Sequence, residues 1–208
     1  MRKFMRFFFH HFYHALAWTY DFVAAVVSIG RWKNWGRAAL PHLRGKRVLE
    51  IGFGPGHLLV EMNKDGFEPV GLDESQQMIR QARRNLTLNR LPFALYRGYA
   101  QFLPFASNSF DSVVSTFPSE YIADSRTLAE VQRVLKEGGR FVIVPVAWAG
   151  GTSLLERGSR WLFRVTGQGG EGVEARITAF LAEHGFSAVC LEVEIRHSTV
   201  LVVIAEKK

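Results

Sequence analysis

The sequence predicts an α/β fold, an open and mostly parallel sheet with helices on its faces. Three observations predict it. The stretch Arg47-Val48-Leu49-Glu50-Ile51-Gly52-Phe53-Gly54-Pro55-Gly56-His57-Leu58-Leu59 is an apolar run ending in an acid, then a glycine-rich turn, then an amphipathic segment. That order reads as strand, tight loop, helix. Strand-like apolar runs recur at 67–73, 91–98, 110–115 and 140–145, with helical patterns between several of them, as in repeated βα units. A chain of 208 residues with 48% hydrophobic and 22% charged residues has the size and composition of one globular domain with added elements.

Composition narrows the function classes. The single cysteine, Cys190, excludes an internal disulfide and a cysteine-based metal cage, and its strand-like surroundings read as a buried, inert thiol. Nine of the 26 Lys/Arg but one acid, Asp21, fall in residues 1–47, so that segment carries +8 and the rest of the chain −1. A protein that grips nucleic acid with its whole surface is not expected. A basic arm that meets an anionic surface is.

Residues 1–45 read as that arm. Met1–Tyr13 is basic and strongly aromatic, and Asp21 is the only formal charge between Phe7 and Gly30. A signal peptide is disfavoured because histidines interrupt its apolar centre. A transmembrane helix is disfavoured because His10, His11, His14 and Asp21 are costly in lipid. A helix docked on the body and an interfacial helix with aromatics among headgroups both remain.

The glycine turn is the first candidate site. Glycine permits sharp bends and a close backbone approach by a ligand, and the helix that follows offers unpaired N–H groups. The dinucleotide fingerprint needs a small residue where His57 stands, and no Gly-Lys-Ser/Thr follows to make a P-loop. Glu50 can accept hydrogen bonds from a ligand amine. The turn Glu50-x-Gly52-x-Gly54-x-Gly56 resembles motif I of the class I S-adenosylmethionine (SAM)-dependent methyltransferases. That resemblance implies SAM as cofactor, S-adenosylhomocysteine as product, and no metal.

The later elements extend the resemblance. The run 67–73 reads as a second strand ending in Asp73, about 20 residues after the glycine turn, where an acid can accept ribose hydroxyls. Glu74 adjoins it, and Met78 on the next helix can lie against the adenine. Residues 91–98 read as a third strand, followed by Tyr99-Ala100-Gln101-Phe102-Leu103-Pro104-Phe105. Many relatives carry Asp where Tyr99 stands, and a phenol is uncharged at neutral pH. Ala100 backbone groups and the Gln101 amide are left to frame the adenine, with Tyr99 stacking or donating. Residues 110–115 form a fourth strand, and Asp111 before it reads as structural. Glu120 and Tyr121, in the loop beyond, are the candidate catalytic groups, since open α/β sheets bind ligands past the carboxyl ends of their strands.

A helix is expected over 123–136, capped by Asp124 or Ser125 and stopped by Gly138-Gly139, then a fifth strand at 140–145. Residues 148–172 read as a Gly-rich basic amphipathic segment and a possible substrate cover, or as an ordinary surface helix. A helix at 173–185 and two strands split near 196–198 close the chain. The order Tyr20-Asp21, Ser28-x-Gly30, then Trp32 and Trp35 resembles quinone-biosynthesis C-methyltransferases and bacterial phospholipid N-methyltransferases, which implies that Tyr20 closes the cofactor pocket. A Tyr packed in a helical core is the other reading.

The resemblance implies a Rossmann-like sheet of seven strands with a C-terminal hairpin over 46–208, and SAM held by Tyr20, Glu50, Gly52, Gly54, Gly56, Asp73, Glu74, Met78, Tyr99, Ala100 and Gln101. The expected reaction is in-line methyl transfer to a hydrophobic or membrane-borne acceptor, a phospholipid amine or a quinone, by a cytoplasmic protein peripheral on the membrane through residues 1–47. Nucleic acid is not an expected partner. A soluble small-molecule methyltransferase and a non-catalytic SAM- or lipid-binding protein stay open.

Overall fold

A computed structural model describes residues 32–149, 173–195 and 198–208. Asn34 ends one compact unit, and Trp35 begins another that holds the sheet and the candidate site. Residues 1–31 of the arm, Tyr20 among them, and most of the 148–172 segment lie outside the described residues.

The elements are α1 (Trp32–Gly36), a 3-10 turn (Arg37–His42), β1 (Arg47–Ile51), α2 (His57–Lys64), β2 (Glu68–Asp73), α3 (Gln76–Leu88), β3 (Ala94–Arg97) and β4 (Phe110–Thr116). A second 3-10 turn (Glu120–Ala123), α4 (Ser125–Val134), β5 (Leu135–Ala149), α5 (Val173–Glu183), β6 (Phe186–Ile195) and β7 (Ser198–Lys207) follow. The seven strands form one sheet in the order β3-β2-β1-β4-β5-β7-β6. The first five pair in parallel, and β7 runs antiparallel between β5 and β6. This is the seven-stranded sheet with a C-terminal hairpin that the sequence predicts.

Parallel strands covered on both faces need apolar side chains on both faces. Along the central strands the residues alternate between two cores. Leu49, Val113, Phe141 and Ile143 meet Leu128 and Val131 of α4 and Leu181 of α5 in one core. Val48, Val114, Val142 and Val144 meet Leu59 and Met62 of α2 and Ile79, Ala82 and Leu86 of α3 in the other. The period of two along a strand assigns these cores to opposite faces.

Two boundaries differ from expectation. Helix α4 ends at Val134, and Gly138-Gly139 lie inside β5 instead of stopping a helix at Lys136. The turn before β4 caps α4 at its end, where the Asn108 and Ser109 amides donate to the Arg133 and Val134 carbonyls at 2.9 and 2.8 Å. Leu135 is then extended, fully buried and paired with Phe110. Strand β5 also runs past Pro145 to Ala149. Against β7 its register shifts between Ile143 and Val146, and a bulge is where a strand tolerates a residue without an N–H. Cys190, expected to be buried, is partly exposed on β6. Burial pushes its thiol pKa up, with Glu174 adding to the effect.

Asp111 is structural, as expected. It accepts from the Lys46 and Arg47 amides at 3.1 and 2.9 Å and from Lys136 Nζ at 2.7 Å, tying the start of β1 to β4 and β5. Burial pushes its carboxyl up, but the Lys136 ammonium and the two amides together hold it below the usual carboxylate range. Among the described residues no helix is long and apolar enough to cross a membrane.

Phe110 is fully buried, with its ring edge-on to Phe105 at 5.1 Å. Phe110→Ala should cost about 3–5 kcal/mol, read as a lower urea midpoint with an unchanged m-value.

Candidate functional site

The carboxyl ends of β1 and β2 and the segments after β3 and β4 surround a cavity of about 610 Å³, a size typical of small-molecule sites. Of the predicted residues it brings together Gly52, Asp73, Glu74, Tyr99, Ala100, Gln101, Glu120 and Tyr121. Its lining holds four acids, Asp73, Glu74, Glu120 and Asp124, and no Lys or Arg among the described residues.

Backbone contacts fix the glycine turn. The Gly52 amide donates to the Leu72 carbonyl at 2.8 Å. The Gly54 amide donates to Asp73 Oδ2 at 2.9 Å, and the Ser75 amide to Asp73 Oδ1 at 2.8 Å. Each Asp73 oxygen keeps a lone pair for a further donor. Gly52 has φ +71°, and a Cβ there would collide with the Tyr121 hydroxyl. Gly56 serves a different contact. A Cβ on it would stand 2.7 Å from that of Ala82, so its small size lets α3 approach the turn. Met78 is partly buried near the start of α3, whose amide hydrogen bond to Ser75 Oγ caps the helix, and it is not part of the cavity wall.

Glu50 is buried on β1, and its Oε2 has no hydrogen-bond partner among the described residues. Burial pushes its carboxyl well above the usual range, and the neighbouring charge of Asp73 pushes it the same way. A buried carboxyl that lacks a partner is costly and marks a place for a cationic donor.

Tyr121 is half-buried against the glycine turn. Its hydroxyl lies 2.7 Å from Ser115 Oγ and 3.2 Å from the Ile51 carbonyl, and Ser115 Oγ also donates to that carbonyl at 2.9 Å. Burial pushes the phenol up to about 12; the hydrogen bond with Ser115 opposes this, and the charges of Glu50, Asp73 and Glu74 add to it. It therefore keeps its proton at neutral pH. Glu120 is exposed at the rim, and so is Tyr99 at 60% exposure.

Sequence reasoning missed several wall residues. Phe117 lines the cavity with φ +51°, a conformation that a bulky residue rarely adopts, and its ring lies 6.2 Å from that of Trp35. Asp124, expected only as a possible cap, does cap α4 and accepts from Gln101 Nε2 at 3.3 Å while also reaching into the wall. Glu130 and Arg133 hold the loop after the adenine-type segment. Glu130 accepts from the Leu103 amide at 2.7 Å, and Arg133 donates to the Leu103 and Phe105 carbonyls at 3.0 and 2.7 Å. Neither Phe117 nor Asp124 had a residue-type signal strong enough to single it out as a wall residue.

The donor set suits SAM, which carries an ammonium and a sulfonium. An unpartnered buried carboxyl, an acid-lined wall and a close-approach glycine turn all favour a cation with a compact amino-acid end. No cluster of potential metal ligands occurs among the described residues.

Fold and site are similar to those of class I SAM-dependent methyltransferase domains, and comparison with known proteins finds the same likeness. Residues 48–139 match a family described as "Methyltransferase domain". The chain is 35% identical to a demethylmenaquinone methyltransferase of Symbiobacterium thermophilum, over 61% of this chain and 54% of that protein. It is 31% identical to a ubiquinone/menaquinone biosynthesis C-methyltransferase of Geotalea uraniireducens, over 62% and 59%. The chain thus spans about half the length of the curated relatives it matches. Among solved structures, a SAM-dependent methyltransferase from Thermotoga maritima, titled a possible histamine N-methyltransferase, shares the fold with a TM-score of 0.61 at 19% identity, over 95% and 99% of the two chains. Over about three fifths of its length the chain is thus similar to methyltransferases named for quinone biosynthesis.

The Glu50 carboxyl ionises at a higher pH in the folded chain than in the unfolded one, so stability falls as pH rises from the ordinary glutamate range through the folded value. Glu50→Gln should flatten that part of the stability profile and raise the neutral-pH melting temperature of the ligand-free protein. The same variant should lose SAM binding by calorimetry.

Proposed function

We propose that this chain is an enzyme that transfers the methyl group of SAM to a hydrophobic, quinone-type acceptor at a membrane surface. The observation that carries the cofactor half is the buried Glu50 oxygen that has no partner among the described residues, one residue before Ile51 of an acid-lined cavity wall. The acceptor half is supported by the names of the relatives and by the basic aromatic segment 1–47.

Glu50 accepts the ligand ammonium. Asp73 has lone pairs to spare for two ribose hydroxyls while its backbone partners keep it in position. Ala100 and the Gln101 carbonyl frame the adenine, with the Gln101 amide group steered by Asp124. Glu74 adds negative charge at the rim, and Tyr99 shields the base from solvent. SAM supplies a methyl group on a sulfonium, an already activated leaving group. What remains for the protein is to align the acceptor and exclude water. Tyr121, with its proton held up to about pH 12, is a positioning residue that packs on the Gly52 turn, and Glu120 is the group at the rim able to orient or deprotonate an acceptor. The resting place of the chain is the membrane periphery, with residues 1–47 facing anionic lipid.

Methyl-labelled SAM, purified protein and a host cell extract, partitioned between organic and aqueous phases, test this reading. Label should enter the organic phase and disappear with Gly54→Arg, because that position has φ +52° and its amide bonds Asp73. Label only in the aqueous phase would remove the hydrophobic acceptor. No label in either phase would remove the enzyme. Tyr121→Phe should lower kcat/KM about 2–10-fold, the worth of one hydrogen bond, and leave the alkaline limb of the pH–rate profile unchanged. A lost limb would make Tyr121 a base.

A further inference from the structure

The acids of the cavity wall give way to the opposite charge at the neighbouring sheet edge. Residues 75–110 contain five arginines, at 80, 83, 84, 90 and 97, and no acid or lysine. All five are exposed, and none forms an ion pair with a described carboxylate. Helix α3 buries Ile79, Ala82 and Leu86 and exposes Arg80 and Arg84 on its outer side and Arg83 at the flank of the buried face. Arg97 ends the edge strand β3 and donates to the Glu74 carbonyl at 3.1 Å.

Large apolar side chains are exposed in the same stretch. Leu88 is 70% exposed at the end of α3 and Phe102 is 69% exposed beyond β3, while Phe93 and Tyr96 are also exposed. The Arg83 guanidinium lies over the Phe93 ring at 5.8 Å, joining helix to strand approach. Apolar groups this exposed gain nothing from water, and guanidiniums among them that lack a carboxylate seek anions. Interleaved arginines and apolar side chains are the composition of a surface that sits among headgroups. The stretch leads directly to the cavity, since Gly98, Tyr99, Ala100 and Gln101 of its wall precede Phe102.

We propose that the β3 edge, formed by α3, β3 and the residues up to Phe102, docks on an anionic lipid bilayer. The arginines pair with lipid phosphates, and Leu88, Phe93 and Phe102 enter the headgroup region. The cavity mouth then opens beside the bilayer, so that an apolar acceptor passes from lipid to site without crossing water. The inference rests on the hydrophobic acceptor of the proposed function, and it assigns to the catalytic body a membrane contact separate from residues 1–47.

The test is sedimentation of the full chain with vesicles of phosphatidylcholine alone or mixed with phosphatidylglycerol. Arg80→Glu/Arg83→Glu/Arg84→Glu and, separately, Leu88→Ser/Phe102→Ser should each weaken binding to the anionic vesicles roughly tenfold or more, with SAM affinity and melting temperature unchanged. Both should retain methylation of a water-soluble short-chain quinol and lose it for a long-chain quinol embedded in vesicles. Vesicle binding within twofold of the parent would overturn the docking surface, as would charge reversal that weakens a single-stranded RNA probe and spares the vesicles. If the parent methylates neither quinol but the variants still lose vesicle binding, the acceptor reading fails and the docking surface stands.

Discussion

The Asp73 carboxylate is the constraint on which the site depends. One oxygen accepts the Gly54 amide and the other accepts the Ser75 amide, so one side chain fixes both the glycine turn after β1 and the entry to α3. The Gly52 amide adds a second tie by bonding the end of β2. With the turn held, Gly52 presents bare backbone to the cavity, and Tyr121 can pack where a side chain on Gly52 would stand. A buried charge normally requires compensation. Here backbone amides supply it, which leaves the acid available to a ligand without moving it.

Polar side chains at a distance from the cavity position its walls in a similar way. The Glu130–Arg133 pair holds the 103–105 loop, and Asp124 joins the α4 cap to Gln101. The sheet supplies the rigid base. Its alternating cores clamp β1 and β4 from both sides, so that the loops at their carboxyl ends start from fixed points. The molecule therefore separates its charges by function, with acids around the cavity and exposed arginines on the β3 edge.

Much of this was legible in the sequence. The glycine turn, the acid about 20 residues later and the split before the last strand are local patterns with one structural solution each, and the first two fall at the carboxyl ends of β1 and β2, where the cavity lies. Phe117 was not legible, because its positive φ arises from tertiary contacts, the 2.7 Å bond of its amide to the Val144 carbonyl among them, and no residue preference announces it. The end of α4 was misread for a related reason. Gly138-Gly139 is a common helix stop, but the turn at Asn108 and Ser109 had already satisfied the helix carbonyls from another part of the chain. Pro145 looked like a strand terminator until the hairpin strand β7 paired past it through a bulge. Gly56 was legible as special, but its reason, contact with Ala82, lies across a helix interface.

The unpartnered Glu50 has a consequence for the lifetime of the protein. A ligand that binds only the folded chain stabilises it by about 2.7 kcal/mol at one hundred times its dissociation constant. A ligand ammonium against Glu50 would also remove the cost of its buried, unpartnered oxygen. Unfolding, and with it exposure to proteases, is then most frequent when the cofactor pool is low. Under the proposed function, cellular abundance of this chain would follow the supply of methyl donor without any separate sensor.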